Sequence, residues 1–237
     1  MCYVILFLVE LMKKSLEISL ISVFVCLENA IFVFVYACPE YDKASYAATC
    51  LAFVFAFFYA KKDARIWLTI AALMFTVVSD YFLVLRMPFD QPLAMTTFLA
   101  AQLCYATRLM LNENKKLRIV DIVLRVSLSV MMIIVAKIVL AESFDYLSSV
   151  SLVYFVNLFL NVIFSFIQFK KSPILAIGLL LFMFCDIVVG LNSSIGVYID
   201  VPPSSIWYII AHTPFNLANI FYMPSQTLIA LSCRDCK

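Results

Sequence analysis

ARIWLTIAALMFTVVSDYFLVL, residues Ala64–Leu85, is long and apolar enough to cross a bilayer, and it carries one acidic residue deep inside, Asp80. A second stretch, SPILAIGLLLFMFCDIVVGLN (Ser172–Asn192), does the same with Asp186. An ionisable group at such depth costs roughly 2.5–3.5 kcal/mol on the insertion scale, so it is rare without a role or a partner. Each aspartate follows the last basic residue before its stretch, Arg65 or Lys171, by fifteen positions. At about 1.5 Å per residue, both carboxyls lie roughly 22 Å into a hydrocarbon layer of roughly 30 Å. They share a level if both helices enter from the same side.

Composition places the remainder of the chain in the same setting. Of 237 residues, 65% are hydrophobic and only 14% charged, and the mean hydropathy is +1.03. A soluble domain is about half apolar and a quarter charged, so this is the composition of a membrane protein with little outside the lipid. A net charge of +2 gives no footprint for nucleic acid. With three glycines, packing dominated by Gly-xxx-Gly contacts is not expected. Most of the eight cysteines sit in apolar runs and read as small buried hydrophobes; Cys233 and Cys236 form the one clustered pair, too little for a metal site. Neither a metal nor a cofactor is expected, nor is a cleavable signal, since Lys13 and Lys14 follow the apolar start rather than precede it.

Charged breaks divide the chain into eight predicted spans: Ser15–Tyr36, Ala44–Ala60, Ala64–Leu85, Pro92–Leu111, Leu117–Ala141, Leu147–Phe169, Ser172–Asn192 and Ser205–Ser232. Short loops make consecutive helices antiparallel neighbours in one all-α membrane bundle covering residues 1–237. Residues 1–12 are too short to span and are expected along the interface. Lys13, Lys14, Lys61, Lys62, Arg65, Arg108, Lys115, Lys116, Arg118, Lys170, Lys171, Arg234 and Lys237 fall on one side, against only Lys43 and Arg86 on the other. Arg125 and Lys137 lie within the fifth span. This asymmetry puts both termini in the cytoplasm, at the plasma membrane of a bacterial cell or the endoplasmic reticulum of a eukaryotic one. Spans three and seven then run the same way, and Ala72–Leu85 aligns without gaps to Gly178–Leu191, suggesting a 4+4 internal repeat.

Polar residues recur at helical spacing in the other spans. His212, Asn216, Asn219 and Gln226 form one stripe; Tyr154, Asn157, Asn161, Ser165 and Gln168 form another; Gln102 and Tyr105 mark span four, and Glu28 stands in span one with no cation at its level. Lipid-facing amides would be unsatisfied, so these stripes turn inward, either as hydrogen-bonding glue between helices or as the wall of a polar cavity. Two carboxyls brought together in an apolar layer settle with one proton between them. One can then donate a proton while the other accepts one from water, the division of labour used in glycoside hydrolysis.

Four short motifs carry a resemblance: Val78-Ser-Asp80-Tyr-Phe-Leu-Val-Leu85, Ala101-Gln-Leu-Cys-Tyr105, Phe184-Cys-Asp186, and Phe221-Tyr-Met-Pro-Ser-Gln-Thr-Leu-Ile-Ala-Leu-Ser232. In span order they resemble the YhhN-like family of eight-helix membrane proteins, which includes the lysoplasmalogenases. That resemblance implies hydrolysis of the vinyl-ether bond of lysoplasmalogens to a fatty aldehyde and a glycerophospho-headgroup. Asp80 and Asp186 match the family's intramembrane aspartates and are the expected catalytic pair. Gln102, Tyr105, Asn157, His212, Asn216, Tyr222 and Gln226 are the expected substrate-binding set. Gln102 stands where the family typically has histidine, and glutamine cannot shuttle protons. The expected partners are a lysophospholipid or ether-lipid substrate and membrane lipid, with the oligomeric state open. A small proton-coupled transporter and a non-catalytic lipid-binding protein are the alternatives.

Overall fold

The computed structural model describes residues 2–38, 43–60, 62–195, 201–211 and 217–234. Among them the chain forms nine α-helices: α1 (Cys2–Ala37), α2 (Ser45–Phe58), α3 (Ala64–Asp80), α4 (Gln91–Met110), α5 (Lys115–Leu140), α6 (Tyr146–Ile167), α7 (Pro173–Ser194), α8 (Ile206–Ala211) and α9 (Leu217–Leu231). Five helical stretches are long and apolar enough to cross a membrane: Lys14–Ala37, Ala64–Leu85, Lys115–Ser143, Tyr146–Ile167 and Pro173–Ser194. Helix α2 is apolar but shorter. The predicted eighth span, Ser205–Ser232, contains α8 and α9, and residues 212–216 between them lie outside the described set. At the N-terminus, residues 2–12 form the start of α1, which runs on through Lys13 and Lys14 without interruption, while the stretch apolar enough to cross a membrane begins at Lys14. No glycine or proline stands there to break it.

Local chemistry sets the helix starts. The side chains of Asp63, Asp90, Asn114 and Asp145 accept hydrogen bonds from the backbone N–H groups of Arg65, Leu93, Leu117 and Ser148, at 2.8, 3.2, 3.0 and 2.8 Å. Each cap satisfies one of the donors that a helix leaves without an internal partner. Pro173 opens α7 at a position that needs no N–H.

The helices close into a circuit. Helix α2 packs on α3, α3 on α4, α4 on α6, α6 on α7, α7 on α9, and α9 returns to α2. Helix α1 lies outside against α2 and α9, and α5 lies outside against α6. Helices α7 and α9 approach closely at Gly178, where a Cβ would come within 2.9 Å of Ile229 Cγ1 and 3.2 Å of its backbone nitrogen. A missing side chain is what lets two helix backbones come this near. Ile66, Leu73, Leu109, Leu158, Leu175, Leu179, Phe182 and Ile229 fill the interior completely shielded. Large apolar side chains also cover the outside, as on α5, where Ile138 and Val139 are about three-quarters exposed. Such an exterior suits acyl chains rather than water.

Candidate functional site

Asp80 is the last residue of α3, and the five residues after it, Tyr81–Leu85, form a π-helical turn. Turns of this kind are uncommon and gather at functional sites. The preceding Ser79 hydroxyl donates to the Ala94 carbonyl of α4 at 2.6 Å, fixing the end of α3 against its neighbour. Asp80 is 5% exposed. Its Oδ2 accepts from the Thr49 hydroxyl of α2 at 2.8 Å and from the Tyr222 hydroxyl of α9.

Asp186 comes from α7, on the far side of the circuit. It is the less enclosed of the two, and its Oδ2 accepts from the Tyr154 hydroxyl of α6. The carboxyls lie within electrostatic range of one another, and Tyr154 and the Cys185 thiol each lie within range of both.

A floor of aromatic rings joins the two tyrosines. Tyr154 packs on Phe98 at 5.8 Å between ring centroids, Phe98 on Phe182 at 6.0 Å, and Phe182 on Tyr222 at 5.7 Å. These are ordinary edge-to-face and tilted aromatic contacts. They run from α6 through α4 and α7 to α9, so the two hydroxyls that hold the acids are braced by one continuous apolar layer.

Other predicted residues are placed differently. Gln102 is fully buried and accepts from the Asn161 side-chain amide at 2.9 Å, both at Oε1 and at its backbone carbonyl. Asn157 and Asn161 turn their amide oxygens to Arg125 of α5, at 3.0 and 2.9 Å. Arg125 in turn pairs with Asp121 through Nε at 2.7 Å and Nη2 at 3.3 Å. One polar chain therefore runs from α5 through α6 to α4. Tyr105 and Gln226 are completely enclosed, Gln226 one turn beyond Tyr222. His212 and Asn216 lie outside the described residues.

Three contributors were not anticipated. Thr49 is one small hydroxyl among many, and nothing in its spacing sets it apart. The Asp121–Arg125 pair stands at i, i+4, a spacing that announces an ion pair. Arg108, a basic residue near the end of the predicted fourth span, lies in the last turn of α4 and is 1% exposed, which its charge did not suggest. Its Nη1 donates to Thr69 Oγ1 at 2.6 Å and Ser232 Oγ at 2.8 Å, and its Nη2 to the Ser232 carbonyl at 3.0 Å. It thereby ties the end of α9 to α3 and α4.

Compared with known proteins, residues 43–233 match the YhhN family. The chain belongs to the YhhN family. That match covers every helix from α2 to α9, and with them Asp80, Asp186 and the groups that hold them. No curated protein and no solved structure matches the chain.

Proposed function

We propose that this YhhN-family protein is an intramembrane hydrolase that cleaves the vinyl-ether bond of lysoplasmalogen-like lysophospholipids, with Asp80 and Asp186 as its acid/base pair. The observation that carries the reading is a pair of aspartates on α3 and α7, opposite members of the helix circuit, within electrostatic range of one another and each accepting from a tyrosine hydroxyl on a common aromatic floor. The topology that goes with it has eight spans and both termini in the cytoplasm. The packing order supports two parallel halves, because α2, α3, α4 are followed round the circuit by α6, α7, α9, and α1 and α5 flank α2 and α6.

Hydrogen bonding suggests the division of roles. Asp80 receives two hydroxyl donors and is nearly enclosed, which suits a carboxylate, an acceptor-only group. Asp186 receives one donor and is more open, which suits the acid that meets substrate. In the proposed cycle Asp186 protonates the vinyl ether on carbon, leaving an oxocarbenium ion. Water adds to that ion and gives a proton to Asp80. The hemiacetal hydroxyl then returns a proton to Asp186 while Asp80 protonates the departing glycerol oxygen. A fatty aldehyde and a glycerophospho-headgroup leave, and both carboxyls regain their starting states. Tyr222 and Tyr154 are positioning residues in this scheme, and Gln226, enclosed one turn beyond Tyr222, belongs to the wall behind them. Gln102, Tyr105, Asn157, His212 and Asn216 complete the proposed set.

The test is aldehyde release from a lysoplasmenyl lipid by purified protein, compared with Asp80→Asn and Asp186→Asn. General acid–base groups contribute about 10²–10⁴-fold, and each change should cost that much. A proton-coupled carrier would draw on the same two-half packing; pH-dependent uptake into proteoliposomes without aldehyde release would favour it.

A further inference from the structure

Glu28 takes no part in the aspartate site. It lies on α1 and is 4% exposed, and neither of its carboxyl oxygens makes a hydrogen bond of normal geometry, the Thr227 hydroxyl of α9 being the one polar group among the described residues near enough to interact with it. It lines a cavity of about 240 Å³ between α1 and α9, together with Asn29 and Phe32 from α1 and Met223, Pro224 and Thr227 from α9. Pro224 and Thr227 stand on a different face of α9 from Tyr222, which turns to Asp80. The neighbouring α1 side chains Val23, Leu27 and Val33 are about half exposed or more, so the groove opens toward the apolar exterior.

The polar atoms offered to this cavity are mainly acceptors. The Thr227 hydroxyl gives its proton to the Met223 carbonyl at 3.0 Å, and the Asn29 amide donates to the Val25 carbonyl at 2.7 Å. Pro224 has no N–H. What remains is a carboxyl, a hydroxyl oxygen and an amide oxygen, set in an apolar wall. We propose that this groove is a second ligand site, in which Glu28 receives the primary ammonium group of a single-chain amphiphile whose tail stays in the surrounding acyl chains.

An alkylammonium brings three N–H donors and one positive charge, matching an acceptor set around one acid. A metal ion is a poorer fit, since calcium takes six to eight oxygens and magnesium six in strict geometry. An alcohol supplies one donor and no charge, so it gains nothing from ionising the acid. The volume falls below the roughly 300–1,000 Å³ of pockets that enclose a whole drug-sized ligand, as expected where only the polar end enters.

The test uses the full chain in phosphatidylcholine nanodiscs, with a lipophilic stabilised diazo compound, which esterifies carboxyls without coupling amines, as the probe and modification at Glu28 read by peptide mass spectrometry. Dodecylamine near neutral pH, at about ten times its dissociation constant, should lower Glu28 modification about tenfold. Dodecanol and potassium chloride should leave it nearly unchanged. Thr227→Ile, which fills the groove but keeps the acid, should abolish the protection while modification of Glu28 persists. Equal protection by dodecanol, no protection by dodecylamine, or no modification of Glu28 at all would each overturn the proposal. The wild-type comparison needs no variant to fold, and it is independent of aldehyde release.

Discussion

Replacing Arg125 with methionine removes the group that fastens α5 to the bundle. Of the 26 residues of α5, only Asp121 and Arg125 are fully buried, so the buried part of the fastening is polar, with Leu128 and Met132 packing partly buried beside it. The Arg125 and Asp121 side chains are 7% and 4% exposed. Taking away the guanidinium strands a buried carboxylate, a change that costs about 3–5 kcal/mol. It also leaves the Asn157 and Asn161 side-chain oxygens without their donor. Hydrogen bonds between membrane helices average only about 0.6 kcal/mol each, so the stranded charge dominates. For a chain of this length, 3–5 kcal/mol lowers Tm by roughly 6–20 °C. Hydrogen exchange in nanodiscs should show faster exchange confined to α5, with α3 and α7 unchanged. Adding Asp121→Leu to Arg125→Met removes the stranded charge and should recover most of the loss. A single variant that melts within about 2 °C of the parent, or a double variant no better than the single, would refute this reasoning.

Two further changes test the site and its frame. Tyr222→Phe keeps the ring on Phe182 and deletes one hydrogen bond to Asp80; at about 1.5–3 kcal/mol for a bond to a charged group, aldehyde release should fall roughly 10- to 150-fold. The same change in an Asp80→Asn background should add almost nothing, because the bond it deletes no longer serves a carboxylate. At the start of α3, the Arg65 guanidinium and backbone N–H hold the Asp63 carboxyl below the usual carboxylate range. A lowered folded-state pKa stabilises above the ordinary value of about 3.9, and the benefit is lost as pH falls through the folded value. Asp63→Asn, which keeps the cap but not the charge, should therefore lower Tm at pH 6, and the difference from the parent should shrink progressively as pH falls below about 3.9, by thermal denaturation in detergent.

What could be read before the structure follows from which interactions are local. The six predicted spans between residues 44 and 192 coincide with α2 to α7 within a few residues, because hydropathy and charged breaks are properties of contiguous sequence. The two acids stand out for the same reason, each a lone charge in an apolar run. Partners are another matter. Thr49 and Tyr222 reach Asp80 across 31 and 142 positions, and no spacing rule connects them. Asn157 and Gln102 show the limit of an inward-facing stripe. Their periodicity established that they turn away from lipid, but whether they meet Arg125 and Asn161 or an open cavity depends on which helix lies opposite. Arg108 shows the same limit: a basic residue in the last turn of a span reads as an orientation signal, and its buried partners are seen only once α9 ends against it.

The most direct measurement is aldehyde release from lysoplasmenylethanolamine by the purified protein, with Asp80→Asn, Asp186→Asn and both together. The wild-type protein should release aldehyde, each single change should cost about 10²–10⁴-fold, and the double variant should be little worse than the weaker single, as for residues that act as a unit. Full activity in the double variant, or no aldehyde from the folded wild-type protein, would contradict the assignment of the two aspartates.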